Sequence, residues 1–314
     1  MSETFNILIT GGAGYLGSVL VPELLNDGHK VTVLDSFLFK QNSLASVCAN
    51  PNFVVICGDA RDESLVRSIV KNTDVIIPLA ALVGAPMCDK DRFGAVSLNR
   101  DAIKTLMSLL SNAQRVLMPI TNSGYGIGVA GKQCTEESPL NPITLYGITK
   151  VEAEALVLER ENSLSFRLAT VFGMAPRMRL DLLVNDFVYR AVTDRAVVLF
   201  ESHFKRNFIH VRDVARAFQH AIKDFDRLKG GAYNVGLSNA NISKWDLCER
   251  IKKHLDNFVF MDAAIGEDPD KRDYIVSNAK FEATGYMPAY SLDDGIAELI
   301  KGFHMIKNSV YGNV

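Results

Sequence analysis

The sequence predicts an α/β chain, a doubly wound parallel sheet followed by a smaller mixed α/β unit. Two observations point there. Short runs rich in β-branched residues alternate with amphipathic helical stretches through the first half, and a glycine-rich turn links the first strand to the first helix. At 314 residues the chain exceeds the usual size of one domain. Two units sharing a cleft are expected: residues 1–170, and residues 171–314 with about 207–224 returning to the first.

In chain order, "NILIT" reads as a strand, "YLGSVLVPELLNDG" as a helix closed by a C-cap-like glycine, and "KVTVLD" as the next strand, completing a β-α-β unit. "FVVICGD", "DVIIPLAAL" and "RVLMPIT" continue the strands, while "ESLVRSIVKN" and "AIKTLMSLLSNA" continue the helices. "YGITKVEAEALVLERE" starts another helix. After "SFRLATVFG" the regularity fades into the helices "LLVNDFVYRAV" and "SKWDLCERIKKHL", short strands, and a polar loop, "AAIGEDPDKRD". Trp245 and the other aromatic positions of the second half are spaced like core residues. There is no internal repeat.

Composition narrows the function classes. Apolar residues make up 48% and charged residues 22%, as in a protein that buries a sizeable core. A net charge of −2 offers no bulk attraction for nucleic acid or a membrane surface. The five cysteines form no C-x-x-C pair and have no histidine cluster beside them, which argues for reduced thiols, no disulfide frame and no metal site. "MSETFNILIT" lacks a signal-peptide pattern, and "VIIPLAALVGAPM" is too short and too proline-interrupted to span a bilayer. A soluble, cytoplasmic protein is expected.

In "ITGGAGYLG", Gly12, Gly14 and Gly17 satisfy G-x-G-x-x-G, while Gly11, Gly14 and Gly17 satisfy the wider G-x-x-G-x-x-G. Either spacing lets a backbone approach a pyrophosphate at a helix N-terminus, and either also occurs in an ordinary turn. Asp35 ends the second strand, where a carboxylate accepts hydrogen bonds from a ribose diol and repels a 2′-phosphate, favouring NAD over NADP. Asp59, in "GDARD", is equally an adenine neighbour or a turn residue. Further on, "YGITK" places the phenol of Tyr146 and the ammonium of Lys150 one helical turn apart, a spacing suited to an acid–base pair.

Taken together, the glycine fingerprint, Asp35, "GDARD", "LAA" at 79–81 and Tyr-x-x-x-Lys resemble the extended short-chain dehydrogenase/reductase family, in its sugar-nucleotide epimerase and dehydratase branch. The likeness covers essentially the whole chain. It implies a Rossmann domain with a small substrate domain, and bound NAD held along Gly11, Gly14, Tyr15, Leu16, Gly17, Asp35, Asp59, Ala60, Leu79, Ala80, Ala81, Tyr146 and Lys150. It makes Tyr146 and Lys150 the catalytic pair and Thr121, four places before Tyr125-Gly126, their hydroxyl partner, with Ser123 second. Where many 4,6-dehydratases have Asp-Glu this chain has Asn122 and Ser123; neither is a general base, and a 4,6-dehydratase is disfavoured.

The block "FKRNFIHVRDVARAF" resembles the family segment whose arginine, here Arg206, pairs with the substrate diphosphate; Arg272 is a second clamp, and Arg177 and Arg179 either line the same pocket or belong to a solvated face. Thr170 stands where many relatives carry an asparagine. His210 reads as a structural residue near Asp213. The apolar stripes of "AIKTLMSLLSNA" and "YGITKVEAEALVLERE" fit either the family's intersubunit four-helix bundle, giving a homodimer or a tetramer, or burial on the sheet. The expected function is modification of a nucleotide diphosphate sugar through a 4-keto intermediate, foremost 4-epimerisation. A net 4-dehydrogenase or ketoreductase would use the same residues, and a non-catalytic dinucleotide-binding regulator is the reading from another class.

Overall fold

The computed structural model describes residues 3–129, 131–266 and 272–306. The first half runs β1 (Asn6–Thr10), α1 (Gly17–Asn26), β2 (Lys30–Asp35), β3 (Phe53–Cys57), α2 (Glu63–Val70), β4 (Val75–Pro78), α3 (Ala85–Lys90), α4 (Arg92–Val96), α5 (Ala102–Leu109), β5 (Arg115–Thr121), β6 (Gln133–Cys134), α6 (Leu145–Leu158) and β7 (Ser163–Leu168). The second runs β8 (Thr170–Phe172), α7 (Leu183–Thr193), β9 (Ala196–Leu199), β10 (Lys205–His210), α8 (Val211–Lys223), α9 (Phe225–Leu228), β11 (Ala232–Val235), β12 (Asn241–Ser243), α10 (Lys244–His254), β13 (Val259–Asp262), β14 (Ile275–Val276), α11 (Ala279–Glu282) and α12 (Leu292–Met305).

Seven strands form one sheet in the order β11-β7-β5-β4-β1-β2-β3, with every neighbouring pair parallel. This is a Rossmann arrangement. The strand order reverses between β1 and β4, so a crevice opens beyond the carboxyl ends of the strands at that point. The period-two alternation of β1 divides the core: Ile7 and Ile9 pack with Leu20 and Leu24 of α1 and Phe218 of α8, while Leu8 packs with Val66, Ile103, Ala153 and Val157 on the other face. Each such fully buried side chain contributes roughly 1.5–3 kcal/mol. The apolar stripes of α5 and α6 are therefore buried against the sheet.

Chain order and spatial order part company after residue 170. β10 pairs with β8 and β12 in a three-stranded sheet, yet α8 packs on the large sheet and β11 becomes its edge strand. β11 carries only four residues, "AYNV", and its register with β7 (Ala232↔Ser165) rather than a pattern of its own makes it a strand. A second core lies among α7, α10, α12 and β10, around Phe187, Phe208, Leu247 and Phe303. Trp245 departs from expectation: it is 38% exposed on the first turn of α10, with its ring edge-on to Phe260. Among the described residues no helix is long and apolar enough to cross a membrane. Residues 267–271 of the expected polar loop lie outside the described residues.

Candidate active site

A cleft of about 600 Å³ lies beyond the carboxyl ends of β1, β2, β4, β5 and β7. Its first wall is backbone. Gly11 has φ +71°, and a Cβ there would stand 2.6 Å from the Ala80 amide nitrogen; a Cβ on Gly17 would stand 2.3 Å from the Gly12 carbonyl. Both positions admit only glycine. Gly11, Gly14 and Gly17 line the cleft, whereas a Cβ on Gly12 would press on the Val33 side chain, so the wider of the two spacings faces the cleft. α1 begins without a side-chain cap or an acid in its first turn, leaving its positive end at this wall.

Asp35, only 8% exposed, is fixed by three donors: Ala13 N at 2.9 Å on Oδ2, then Phe37 N at 2.8 Å and Gln41 Nε2 at 3.3 Å on Oδ1. Beside it Gln41 Oε1 is buried with no hydrogen-bond partner among the described residues. A carboxylate and an orphaned amide oxygen side by side suit a ligand that brings two hydroxyl donors, as a ribose does. Asp59 is held below the usual carboxylate range by Arg61, whose Nη2 lies 2.6 Å away. Tyr15, Leu16, Ala60, Leu79, Ala80 and Ala81 complete this part of the wall.

The second wall is made of side chains. Thr144 caps α6, its Oγ1 accepting from Gly147 N at 3.1 Å, and so aims the first turn that carries Tyr146. Tyr146 lies close enough to Thr121, the last residue of β5, for the threonine hydroxyl to favour its phenolate. Thr121 Oγ1 donates to Ser123 Oγ at 2.9 Å, and Arg272 Nη1 donates to the same oxygen. Lys150 follows one turn after Tyr146 and is 5% exposed. Burial pushes the Tyr146 phenol up to about 12, against the pull of Arg179 and Arg272, and lowers the Lys150 ammonium to about 8. In the protein alone desolvation outweighs the cations.

Comparison with known proteins places this arrangement. The model of the NAD dependent epimerase/dehydratase family matches residues 7–236. The chain belongs to that family. The low-salt glycan biosynthesis protein Agl12 of Haloferax volcanii is 31% identical over 309 residues, covering 93% of this chain and 96% of its own. UDP-glucuronic acid decarboxylase 1 of Arabidopsis thaliana is 28% identical over 318 residues, covering 96% of this chain and 70% of its own. Among solved structures, UDP-glucuronic acid 4-epimerase from Bacillus cereus, crystallised with UDP-glucuronic acid and NAD, superposes with a TM-score of 0.85 at 23% identity, covering 96% of this chain and 99% of its own.

Within this NAD-dependent family frame, Thr170, Arg177 and Arg179 line the cleft with Ser123 and Arg272. Arg206 does not. It is 4% exposed behind the wall, with Nη1 donating to the Lys205 carbonyl at 2.9 Å and its guanidinium 5.6 Å from the centre of the Tyr274 ring, which does line the cleft. Asn122 is also absent from the wall; its amide is buried, and neither polar atom has a partner among the described residues. His210 is fully buried and lies 2.8 Å from Glu298 of α12, while Asp213 accepts from the amides of Ala289 and Tyr290. Sequence reasoning missed Asn99. It sits in a π-turn (Ser97–Asp101) between α4 and α5, accepting from Leu82 N at 2.8 Å and donating to Leu82 O at 2.9 Å and Thr149 at 3.3 Å, which pins the cleft-lining loop after β4 to α6. A π-turn leaves no trace in hydrophobic spacing, although such turns recur at functional sites.

Proposed function

We propose that this chain is a 4-epimerase of a nucleotide diphosphate sugar, oxidising C4 to a ketone and reducing it on the other face. The observation that carries the reading is the convergence of Tyr146, the hydrogen-bonded Thr121–Ser123 pair and buried Lys150 on one cleft whose other wall is the glycine turn. Gly11, Gly14, Gly17, Asp35 and Gln41 would hold NAD through close backbone approach and ribose hydrogen bonds. NAD, when bound, accepts hydride from C4, returns it, and adds positive charge beside the phenol. Tyr146 takes the proton from the C4 hydroxyl and later gives it back, while Thr121 orients that hydroxyl. Because burial holds the phenol at about 12 even against Arg179 and Arg272, the positive charge that NAD would bring beside it is what would draw it toward proton abstraction.

The family includes dehydratases, but elimination of water needs an acid and a base beside the ketone. Asn122 is outside the wall and Ser123 is not a base. The wall's carboxylates are engaged elsewhere: Asp35 as described, Asp59 with Arg61, and Asp91 capping α4 through Gly94 N at 2.8 Å. Ile148, Glu152 and Ala155 form the exposed face of α6, which we assign to a homodimer contact; sedimentation of the purified chain tests it. The function is tested by incubating the protein with nucleotide sugars and following both absorbance at 340 nm and product stereochemistry. A new C4 diastereomer without net NADH is the expected result. A stoichiometric, lasting rise would make it a net dehydrogenase, and an unimpaired cellular role for Tyr146→Phe would make it a regulator.

A further inference from the structure

We propose that the buried ion pair of Glu154 and Arg167 positions the catalytic wall, setting Tyr146 and Lys150 of α6 against Thr121 at the end of β5. This rests on the reading just given and names what holds its reacting groups in place. Neither residue lines the cleft, and both are buried. Glu154 follows Lys150 by one turn on the buried side of α6. Arg167 stands in β7 directly beside Ile120 of β5, the residue before Thr121. It meets the carboxylate as a fork, Nε at 3.1 Å from Oε1 and Nη2 at 2.9 Å from Oε2, while Ser165 Oγ donates to Oε1 at 2.6 Å.

The far side of the guanidinium reaches the other half of the wall. Nη1 donates to the Tyr125 hydroxyl at 3.1 Å and to the Glu136 carbonyl at 3.0 Å. Tyr125 closes the 3-10 turn (Asn122–Tyr125) that follows Thr121 and contains Ser123. Because arginine accepts nothing, the Tyr125 hydroxyl directs its own proton elsewhere, to Asn234 Oδ1 at 2.7 Å. Asn234 lies in β11 opposite Arg167, and its Nδ2 donates at 3.0 Å to the Ser277 carbonyl, just past the β14 strand that Arg272 leads into. Directly or through Tyr125 and Asn234, one ion pair thus ties together the elements that supply Thr121, Ser123, Tyr146, Lys150 and Arg272. Stability alone does not call for it, since desolvation offsets much of the attraction and apolar side chains of similar volume commonly serve a core as well. What they lack is direction: a fork on a carboxylate fixes separation and angle together. A phenol and a threonine hydroxyl that meet one sugar hydroxyl need that, because a misplacement of about 1 Å can lower a rate roughly 100-fold.

The test compares the purified full chain with Glu154→Leu/Arg167→Met, which replaces the pair by apolar side chains, and with Tyr125→Phe, which keeps the pair and removes its link to the turn. Three readouts are taken: kcat and KM on a nucleotide sugar that wild type epimerises; NAD affinity and melting temperature; and the carbon-13 signal of Tyr146 in tyrosine-labelled protein, identified by its absence in Tyr146→Phe. The double variant should melt no lower than wild type, bind NAD within about twofold, and lose roughly 10- to 100-fold in kcat with KM changed by less than about threefold. Tyr125→Phe should lose roughly 3- to 10-fold in kcat. In both, the Tyr146 signal should shift or split. A double variant that keeps kcat, whatever its melting temperature, would make the pair a structural staple and overturn the proposal. Should the double variant not fold, Tyr125→Phe decides, and unchanged kcat with an unmoved Tyr146 signal would overturn it equally. If wild type converts no nucleotide sugar, the C4 reading fails by itself, and the Tyr146 signal in the variants still decides what the pair positions.

Discussion

The two walls of the cleft are built by different means. The dinucleotide-side wall is mostly main chain: three glycines, the ends of parallel strands and an uncapped helix terminus, all within or next to elements contiguous in sequence. The wall around Tyr146 is mostly side chain, gathered from β5, α6, β8, the loop holding Arg177 and Arg179, and the segment leading to β14. Main-chain walls tolerate little substitution because a Cβ has nowhere to go. Side-chain walls can be altered one group at a time, and that is where one fold changes its substrate.

The largest effect should come from the side-chain wall. Tyr146→Phe removes the proton acceptor and should lower kcat by roughly 10²- to 10⁴-fold while NAD affinity, measured by calorimetry, stays within twofold of wild type; a matching loss of NAD binding would mean that the two walls are not separable. On the other wall, Gly11→Ala forces a side chain into a left-handed conformation against Ala80 and should weaken NAD binding by roughly 10- to 100-fold.

Lys150 sharpens the contrast in another currency, stability. Its ammonium is buried and its pKa falls from 10.5 to about 8, so between those values the unfolded chain binds more protons than the folded one and stability rises with pH. Urea melts at pH 8 and pH 10 should show that rise in wild type and lose it in Lys150→Met, which should be about 1–3 kcal/mol more stable at pH 8 without cofactor. A destabilised Lys150→Met would show that the lysine is a structural anchor. The smallest effect is expected at Arg206, outside the wall: Arg206→Met loses a cation–π contact with Tyr274 and should raise KM for the sugar nucleotide only about two- to fivefold.

The same contrast explains what could be read in advance. Glycines 11, 14 and 17, Asp35 and the strand–helix alternation follow from local backbone rules, and the cleft wall contains each of them. The cluster of Thr121, Ser123 and Tyr146 was legible only through spacing shared with a family, because β5 and α6 meet across the sheet rather than along the chain. Arg206 looked like a ligand residue by its motif and turned inward, since β10 pairs with β12 and buries it. Trp245 looked like core by its spacing and is 38% exposed, because in the first turn of α10 Lys244 and Leu247 take the buried side and Trp245 and Asp246 the outer one. The link of Arg272 to Ser123 spans 149 residues, beyond the reach of any local pattern.

The place of β11 has a consequence for how the protein is made. The large sheet takes its final strand, and the α8 that covers one face, from the stretch between residues 211 and 235. A ribosome that has released only the first 170 residues has released an unfinished sheet, with β7 left as an open edge and the apolar side of β1 only partly covered. The nucleotide-side wall can therefore become rigid only after much of the later unit has emerged. Truncations at the apparent boundary should be expected to stick to one another at that edge rather than behave as a portable cofactor module.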